Sequence, residues 1–106
     1  MTKSDHIIGL IIKSVSSTSP GATLILYGSY ARSDQNEESD IDILILVDKS
    51  ILSREDVKKI KYPLYDIEID TGTIISPVVF SKSDWEQRHS STPFYENIKN
   101  EGIILR

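Results

Sequence analysis

The sequence predicts an α/β (α+β) fold in which a small three-stranded mixed sheet is flanked by helices. Three apolar segments bounded by turn residues have the length of strands, at 22–27, 41–47 and 73–80. Around them, apolar residues recur at the three- and four-residue spacing of helices that bury one face. Since helices and strands alternate along the chain, helices layered on a sheet would bury both patterns.

The chain is short and acidic. Its 106 residues suffice for one domain, so we expect 1–106 to form a single domain. The formal net charge of −4 argues against a large electrostatic surface for nucleic acid. The lack of cysteine excludes disulfides, thiol catalysis and cysteine-ligated zinc. No segment approaches the roughly 18 apolar residues of a membrane span, and the N-terminus lacks signal-peptide features, so we expect a cytoplasmic protein without a membrane partner.

The first predicted helix is marked by a capping-box spacing and an apolar stripe. Thr2 and Asp5 form the capping box, and 16–21 predicts the turn that follows the helix. The strand at 22–27 is almost continuously apolar, which indicates burial on both of its faces. The stripe consists of Ile7, Ile8, Ile11, Ile12 and Val15.

The segment from Gly28 to Asp42 is the most informative part of the chain. Gly28 ends the first strand, and Ser29 is predicted to begin a short helix whose N-terminus favours anions. Asp40 and Asp42 stand at i and i+2 where the second strand starts, so both carboxylates project from one face. Two carboxylates beside a phosphate-tolerant backbone suit a nucleoside triphosphate bound with Mg²⁺.

The second half predicts a long helix, a strand and two short helices. Ser53 begins the long helix with a capping box, Pro63 should kink it or end it near Tyr62, and Gly72 should terminate it. Pro77 favours an edge position or a bulge for the third strand. The final helices begin at Ser81 and Thr92, and 103–105 is a short apolar tail for packing on the core or on a partner.

The segments Gly28–Arg32 and Ser39–Leu44 together resemble the signature of the DNA polymerase β-like nucleotidyltransferase superfamily, and the small size resembles its minimal nucleotidyltransferases. The order of helices and strands also agrees with that fold. The motif covers a small part of the chain, whereas the order of elements covers most of it.

This resemblance implies an enzyme that transfers a nucleotidyl group, usually AMP from ATP, to a hydroxyl of a protein or a small molecule. Gly28 and Ser29 would hold the triphosphate, and Asp40 and Asp42 would be catalytic residues that bind Mg²⁺. Arg32 would contact phosphate or stabilise the loop. The resemblance also implies a HEPN-type helical partner in a toxin–antitoxin pair, and the small size is compatible with a homodimer.

One expected carboxylate is missing from the third strand. The resemblance places it near Ser76, but 73–80 contains no acidic residue. If 66–70 formed a strand, its alternating acids would share one face and Glu68 or Asp70 would be the candidate; otherwise these acids form a solvated helix end. The second hypothesis for function is therefore a degenerate module that binds nucleotide or a partner without transfer.

Overall fold

The computed structural model describes residues 3–36 and 38–106. Within these ranges, four strands form one mixed sheet and five helices accompany it. The elements in chain order are α1 (Lys3–Thr18), β1 (Thr23–Tyr27), α2 (Ser29–Arg32), β2 (Ile41–Val47), α3 (Arg54–Thr71), β3 (Ile75–Ser81), α4 (Lys82–Arg88), α5 (Pro93–Glu101) and β4 (Ile103–Ile104).

The sheet has the strand order β3-β2-β1-β4. β1 pairs antiparallel with both β2 and β4, whereas β2 and β3 are parallel. The three predicted strands are present, and Pro77 lies in an edge strand as expected, because an edge strand can spare the missing N–H.

A fourth strand adds to the predicted three. The apolar tail at 103–105 pairs with β1, and the N–H of Leu105 donates to the carbonyl of Leu24 at 2.8 Å. Gly102 makes this pairing possible, because a Cβ at that position would lie 2.5 Å from the carbonyl oxygen of Ile98. Leu105 packs against the core, which is one of the two predicted alternatives, whereas Ile103 and Ile104 remain exposed.

Alternation along the strands gives the sheet two apolar faces. The α1/α3 face packs the odd-numbered residues of β2, including Ile43 and Ile45, against Ile11 of α1 and Leu64 of α3. The opposite α4/α5 face packs Ile25, Leu44 and Leu46 of the sheet against the two C-terminal helices. The helices contribute Trp85, Tyr95 and Ile98 to this cluster.

The helix ends follow the predicted capping signals where these can be compared. Ser53 and Asp56 form the capping box of α3, and Gly72 ends that helix at φ 74°. Ser81 and Thr92 each accept a backbone N–H at the start of α4 and α5. The predicted capping box of α1 involves Thr2, which lies outside the described residues.

The predicted end of α3 near Tyr62 is wrong, since the helix continues through Pro63 to Thr71. Proline removes one backbone hydrogen bond inside a helix. Here Ile60 and Leu64, on either side of Pro63, are both buried in the same core, and this shared burial outweighs the lost bond. No helix in the described ranges combines the length and apolar character needed to cross a bilayer.

Candidate functional site

Gly28 lies where β1 turns into α2, in a backbone conformation that requires glycine. Its φ of 74° and ψ of −154° fall in a region that residues with a Cβ scarcely occupy. A Cβ at this position would lie only 2.3 Å from Oδ2 of Asp42. Glycine therefore allows the backbone and the Asp42 carboxylate to approach closely.

Asp40 and Asp42 lie at the uncovered end of the α4/α5 face. Asp42 pairs in register with Tyr27 of β1 and with Ser76 of β3, so these three side chains share one face. The hydroxyl of Ser76 donates to Oδ2 of Asp40 at 3.4 Å. Both aspartates are half-buried, and the structure thus brings the predicted acidic pair together beside Gly28.

The charge around Asp42 is predominantly negative. Burial raises the pKa of Asp42, the carboxylate of Asp40 raises it further, and Arg32 lowers it. Burial and a like charge both disfavour an ionised carboxylate. Two hard oxygen donors with too little nearby positive charge fit a divalent cation, which would relieve both effects.

Asp42→Asn is expected to stabilise the ligand-free protein at neutral pH. Because the folded pKa lies above the unfolded one, stability contributed by protonated Asp42 is lost as pH rises through the folded pKa. Asparagine removes this loss, so the midpoint of urea unfolding should exceed that of the wild type at pH 7 and equal it at pH 3. A variant that is less stable at pH 7 would contradict the expectation.

Tyr27 is a neighbour of the acidic pair whose role the sequence did not reveal. Burial and the negative charge of Asp42 raise the pKa of Tyr27 to about 12. Its ring contacts Phe94 of α5 edge-on, with 5.3 Å between centroids. The position of Tyr27 directly before Gly28 was the only feature of the sequence that could have indicated this neighbour. The pairing of Tyr27 with Asp42 between β1 and β2 is what places the tyrosine beside the acidic pair.

Ser29 begins α2, and the short helix is closed by its own backbone. The carbonyl of Gly28 accepts the N–H groups of Ala31 and Arg32, each at 3.1 Å. The carbonyl of Ser29 accepts the N–H of Asp34 at 3.0 Å. These bonds hold the half-buried Ser29 in a fixed turn directly after Gly28.

Arg32 is exposed and forms a bridge on the surface. Its Nε donates to the carboxylate of Asp34 at 3.1 Å, and its Nη1 donates to the carboxylate of Glu101 in α5 at 3.2 Å. The sequence did not indicate Glu101, because 69 positions separate it from Arg32. In this arrangement Arg32 links α2 to the end of α5 through exposed ion pairs.

Beside the acidic pair, the third strand has Ser76 where the family resemblance leads us to expect a carboxylate. Ser76 pairs with Asp42, as the alignment of the third strand predicted. Within residues 3–36 and 38–106, no group of three or more acidic, histidine or cysteine side chains is placed to hold a metal ion.

The idea that 66–70 forms a strand is wrong, because these residues belong to the last turns of α3. The carboxylate of Glu68 accepts the N–H of Ile75 at 2.8 Å, at the start of β3. The side chain of Ile75 belongs to the α1/α3 face, opposite the face of Asp42 and Ser76. Asp70 is exposed near the end of the helix. Neither acid is brought to the pair as a third carboxylate.

A cavity of about 700 Å³ adjoins α2 without including the acidic pair. Lys3, Ile7, Tyr30, Gln35 and Thr73 contribute to its lining. Tyr30 of α2 lines this cavity and packs against the core of the α1/α3 face.

Comparison with known proteins gives a consistent set of relatives. Residues 8–104 match the family model of the nucleotidyltransferase domain. "Putative protein adenylyltransferase MJ0141" of Methanocaldococcus jannaschii is 38% identical over 76% of this chain and 74% of the relative. "Putative protein adenylyltransferase MJ0604" of the same organism is 34% identical over 77% of this chain and 75% of the relative.

A solved structure shares the fold. It is the "Crystal structure of the toxin-antitoxin with AMP-PNP", which superposes with a TM-score of 0.66 at 23% identity. The match covers 92% of this chain and 71% of that one. The helix and strand order expected from the sequence therefore corresponds to an architecture already seen in experiment.

Proposed function

We propose that this chain, which belongs to the nucleotidyltransferase domain family, transfers AMP from ATP to a hydroxyl group of an acceptor protein. The proposal rests above all on one feature: the acidic pair lies against a glycine that cannot bear a side chain. Family membership supports the proposed class of reaction. The contact between Gly28 and Asp42 supports the position proposed for the triphosphate and its cation.

Asp40 and Asp42 are the proposed metal ligands. They share one face, and both burial and the carboxylate of Asp40 raise the pKa of Asp42. A bound cation would stabilise the ionised form of both carboxylates. Bound Mg²⁺ would supply charge neutralisation and orientation of the phosphates. In this proposal the two aspartates would hold the positive charge of the cation beside β1 and α2.

Gly28 and Ser29 are the proposed phosphate-binding residues. The missing side chain of Gly28 leaves room beside Asp42, and the hydroxyl of Ser29 is available to donate to a phosphate oxygen. Arg32 contributes a positive charge one helical turn later, by exchanging Asp34 or Glu101 for phosphate.

In the proposed reaction the acceptor oxygen bonds to the α-phosphorus while the bond from that phosphorus to the leaving oxygen breaks. Pyrophosphate departs, and the acceptor proton passes to water, because position 76 carries a hydroxyl where a carboxylate would face the acceptor. Catalysis then depends mainly on positioning and on stabilisation of charge.

A protein acceptor is favoured by the relatives named as protein adenylyltransferases. The neighbouring toxin–antitoxin structure with AMP-PNP supports an adenine nucleotide and extends the proposal to a partner protein. By the family resemblance, we propose a HEPN-type helical protein as that partner and acceptor.

The test combines ATP binding with label transfer. Calorimetry with ATP and Mg²⁺ should give a binding heat that EDTA removes. ATP labelled at the α-phosphate should label a co-expressed HEPN-type partner, whereas ATP labelled at the γ-phosphate should not. Label from γ-phosphate, or absence of any ATP binding, would overturn the proposal.

Ser76 favours a second candidate, a module that binds nucleotide or a partner but does not transfer. Its position opposite Asp42 would otherwise hold the third carboxylate. This candidate predicts Mg²⁺-dependent ATP binding with no labelling of any acceptor. The same pair of measurements therefore separates the two candidates.

Ser76→Asp is expected to raise the transfer rate by at least about tenfold, in the range of a positioned general base. The new carboxylate would face Asp42 at the edge strand, where it can receive the acceptor proton. Transfer of α-phosphate label measures the effect, and Ser50→Asp, at an exposed position between β2 and α3, is the matched control. An unchanged or lower rate in Ser76→Asp would contradict the proposed geometry.

A further inference from the structure

α3 carries a second apolar stripe on the side opposite its core face. Tyr62, Tyr65 and Ile69 recur at helical spacing and are 57%, 37% and 77% exposed. Ile60 and Leu64 on the other side of the same helix are buried. A helix that is apolar on two opposite sides has one face left for a partner.

Next to this stripe lies a shallow groove of about 460 Å³. Glu55, Lys58, Lys59 and Tyr62 line it at positions i, i+3, i+4 and i+7, together with Pro63. Four helical residues at this spacing form the hole that receives one side chain when two helices pack together. The groove therefore has the shape of a helix-packing site.

The net charge of α3 has opposite signs in its two halves. Residues 54–61 carry four basic and two acidic side chains, whereas 62–71 carry three acidic side chains and no basic one. A second α3 running in the opposite direction would bring each basic half beside an acidic half. A parallel neighbour would instead place like charges together. The helix is thus complementary to itself in the antiparallel direction.

We propose that two copies of this chain associate through antiparallel α3 helices related by a two-fold axis between Tyr62 and Tyr65. Ile69 enters the groove of the other copy, and Tyr62 packs beside Tyr65 of the partner subunit. Lys59 lies near Asp66 of the partner subunit. The surface is independent of the acidic pair, so this proposal does not depend on the proposed function.

The oligomeric state provides the first test. Sedimentation of the whole chain between about 1 and 500 µM should show a monomer–dimer equilibrium, since one helix pair makes an interface at the small end of the specific range. Ile69→Lys should weaken the dimer by at least about 100-fold, because it removes the apolar side chain and places an ammonium group in a groove that already contains Lys58 and Lys59.

Ile51→Lys is the matched control, because Ile51 is 80% exposed and precedes α3, and the substitution makes the same change of charge. It should dimerise like the wild type. Lys59→Asp and Asp66→Lys should each weaken association, and their combination should restore it. A wild-type monomer throughout the range, or a dimer unaffected by Ile69→Lys, would overturn the proposal.

Cross-linking tests the direction of the helices in a chain without native cysteine. Across the proposed axis, position 69 meets position 58, whereas two copies of position 69 are separated by about 16 Å along the helix at 1.5 Å per residue. A mixture of Lys58→Cys and Ile69→Cys chains should therefore form disulfides between unlike chains. Preferential pairing of Ile69→Cys with itself would overturn the antiparallel arrangement.

Discussion

Asp40→Asn and Asp42→Asn are each expected to reduce nucleotidyl transfer by about 10³-fold, because bound metal contributes several kcal/mol of charge stabilisation. Each substitution keeps the shape of the side chain and removes one anionic ligand. Calorimetry should show at least about tenfold weaker Mg²⁺-dependent ATP binding. Transfer of α-phosphate label gives the corresponding rate.

Asp48→Asn is the matched control for these two substitutions. Asp48 is exposed directly after β2, at the other end of the strand from the acidic pair. The control should bind ATP and transfer label like the wild type. If Asp40→Asn and Asp42→Asn kept wild-type ATP binding and transfer, the proposed metal ligands would be wrong.

Gly28→Ala is expected to lose ATP binding and about 1 to 3 kcal/mol of stability. Two causes combine: the backbone conformation is unfavourable for any residue with a Cβ, and that Cβ would lie 2.3 Å from Asp42. Relief of the contact displaces either the Asp42 carboxylate or the turn into α2. Urea unfolding measures the stability, and calorimetry measures the binding.

Two other glycines separate the causes. Gly72 has the same φ of 74° but no atom within 4 Å of an added Cβ, so Gly72→Ala should lose about 1 kcal/mol of stability and keep ATP binding. Gly9 lies inside α1 with open space around it, so Gly9→Ala should be stabilising. Wild-type ATP binding by Gly28→Ala would show that the approach to Asp42 is dispensable.

The acidic pair and its glycine could be predicted because their geometry is local. Two aspartates at i and i+2 share a face of an extended chain, and Gly28 follows β1 with only α2 and one loop before the aspartates. The contact between Gly28 and Asp42 needed the pairing of β1 with β2, but that pairing follows naturally from two consecutive apolar strands.

Other features depended on contacts between distant parts of the chain. β4 contains only two residues, and their pairing with β1 is what makes them a strand. Local rules for proline predicted an early end of α3, whereas burial on both sides of Pro63 keeps the helix intact. The ion pair between Arg32 and Glu101 likewise forms only because the end of α5 lies near α2 in the folded chain.

The alternation along β2 also protects folding from error. Asp42 and Leu44 point one way, and Ile41 and Ile43 point the other, under α1 and α3. A slip of one position would carry Asp42 beneath those helices and move the isoleucines to the face where the aspartates now lie. Burial of an unpaired carboxylate costs several kcal/mol. The same charge at Asp42 that marks the site thus rejects the mispaired strand, so a variant with an apolar residue at 42 would lose a safeguard of its own assembly.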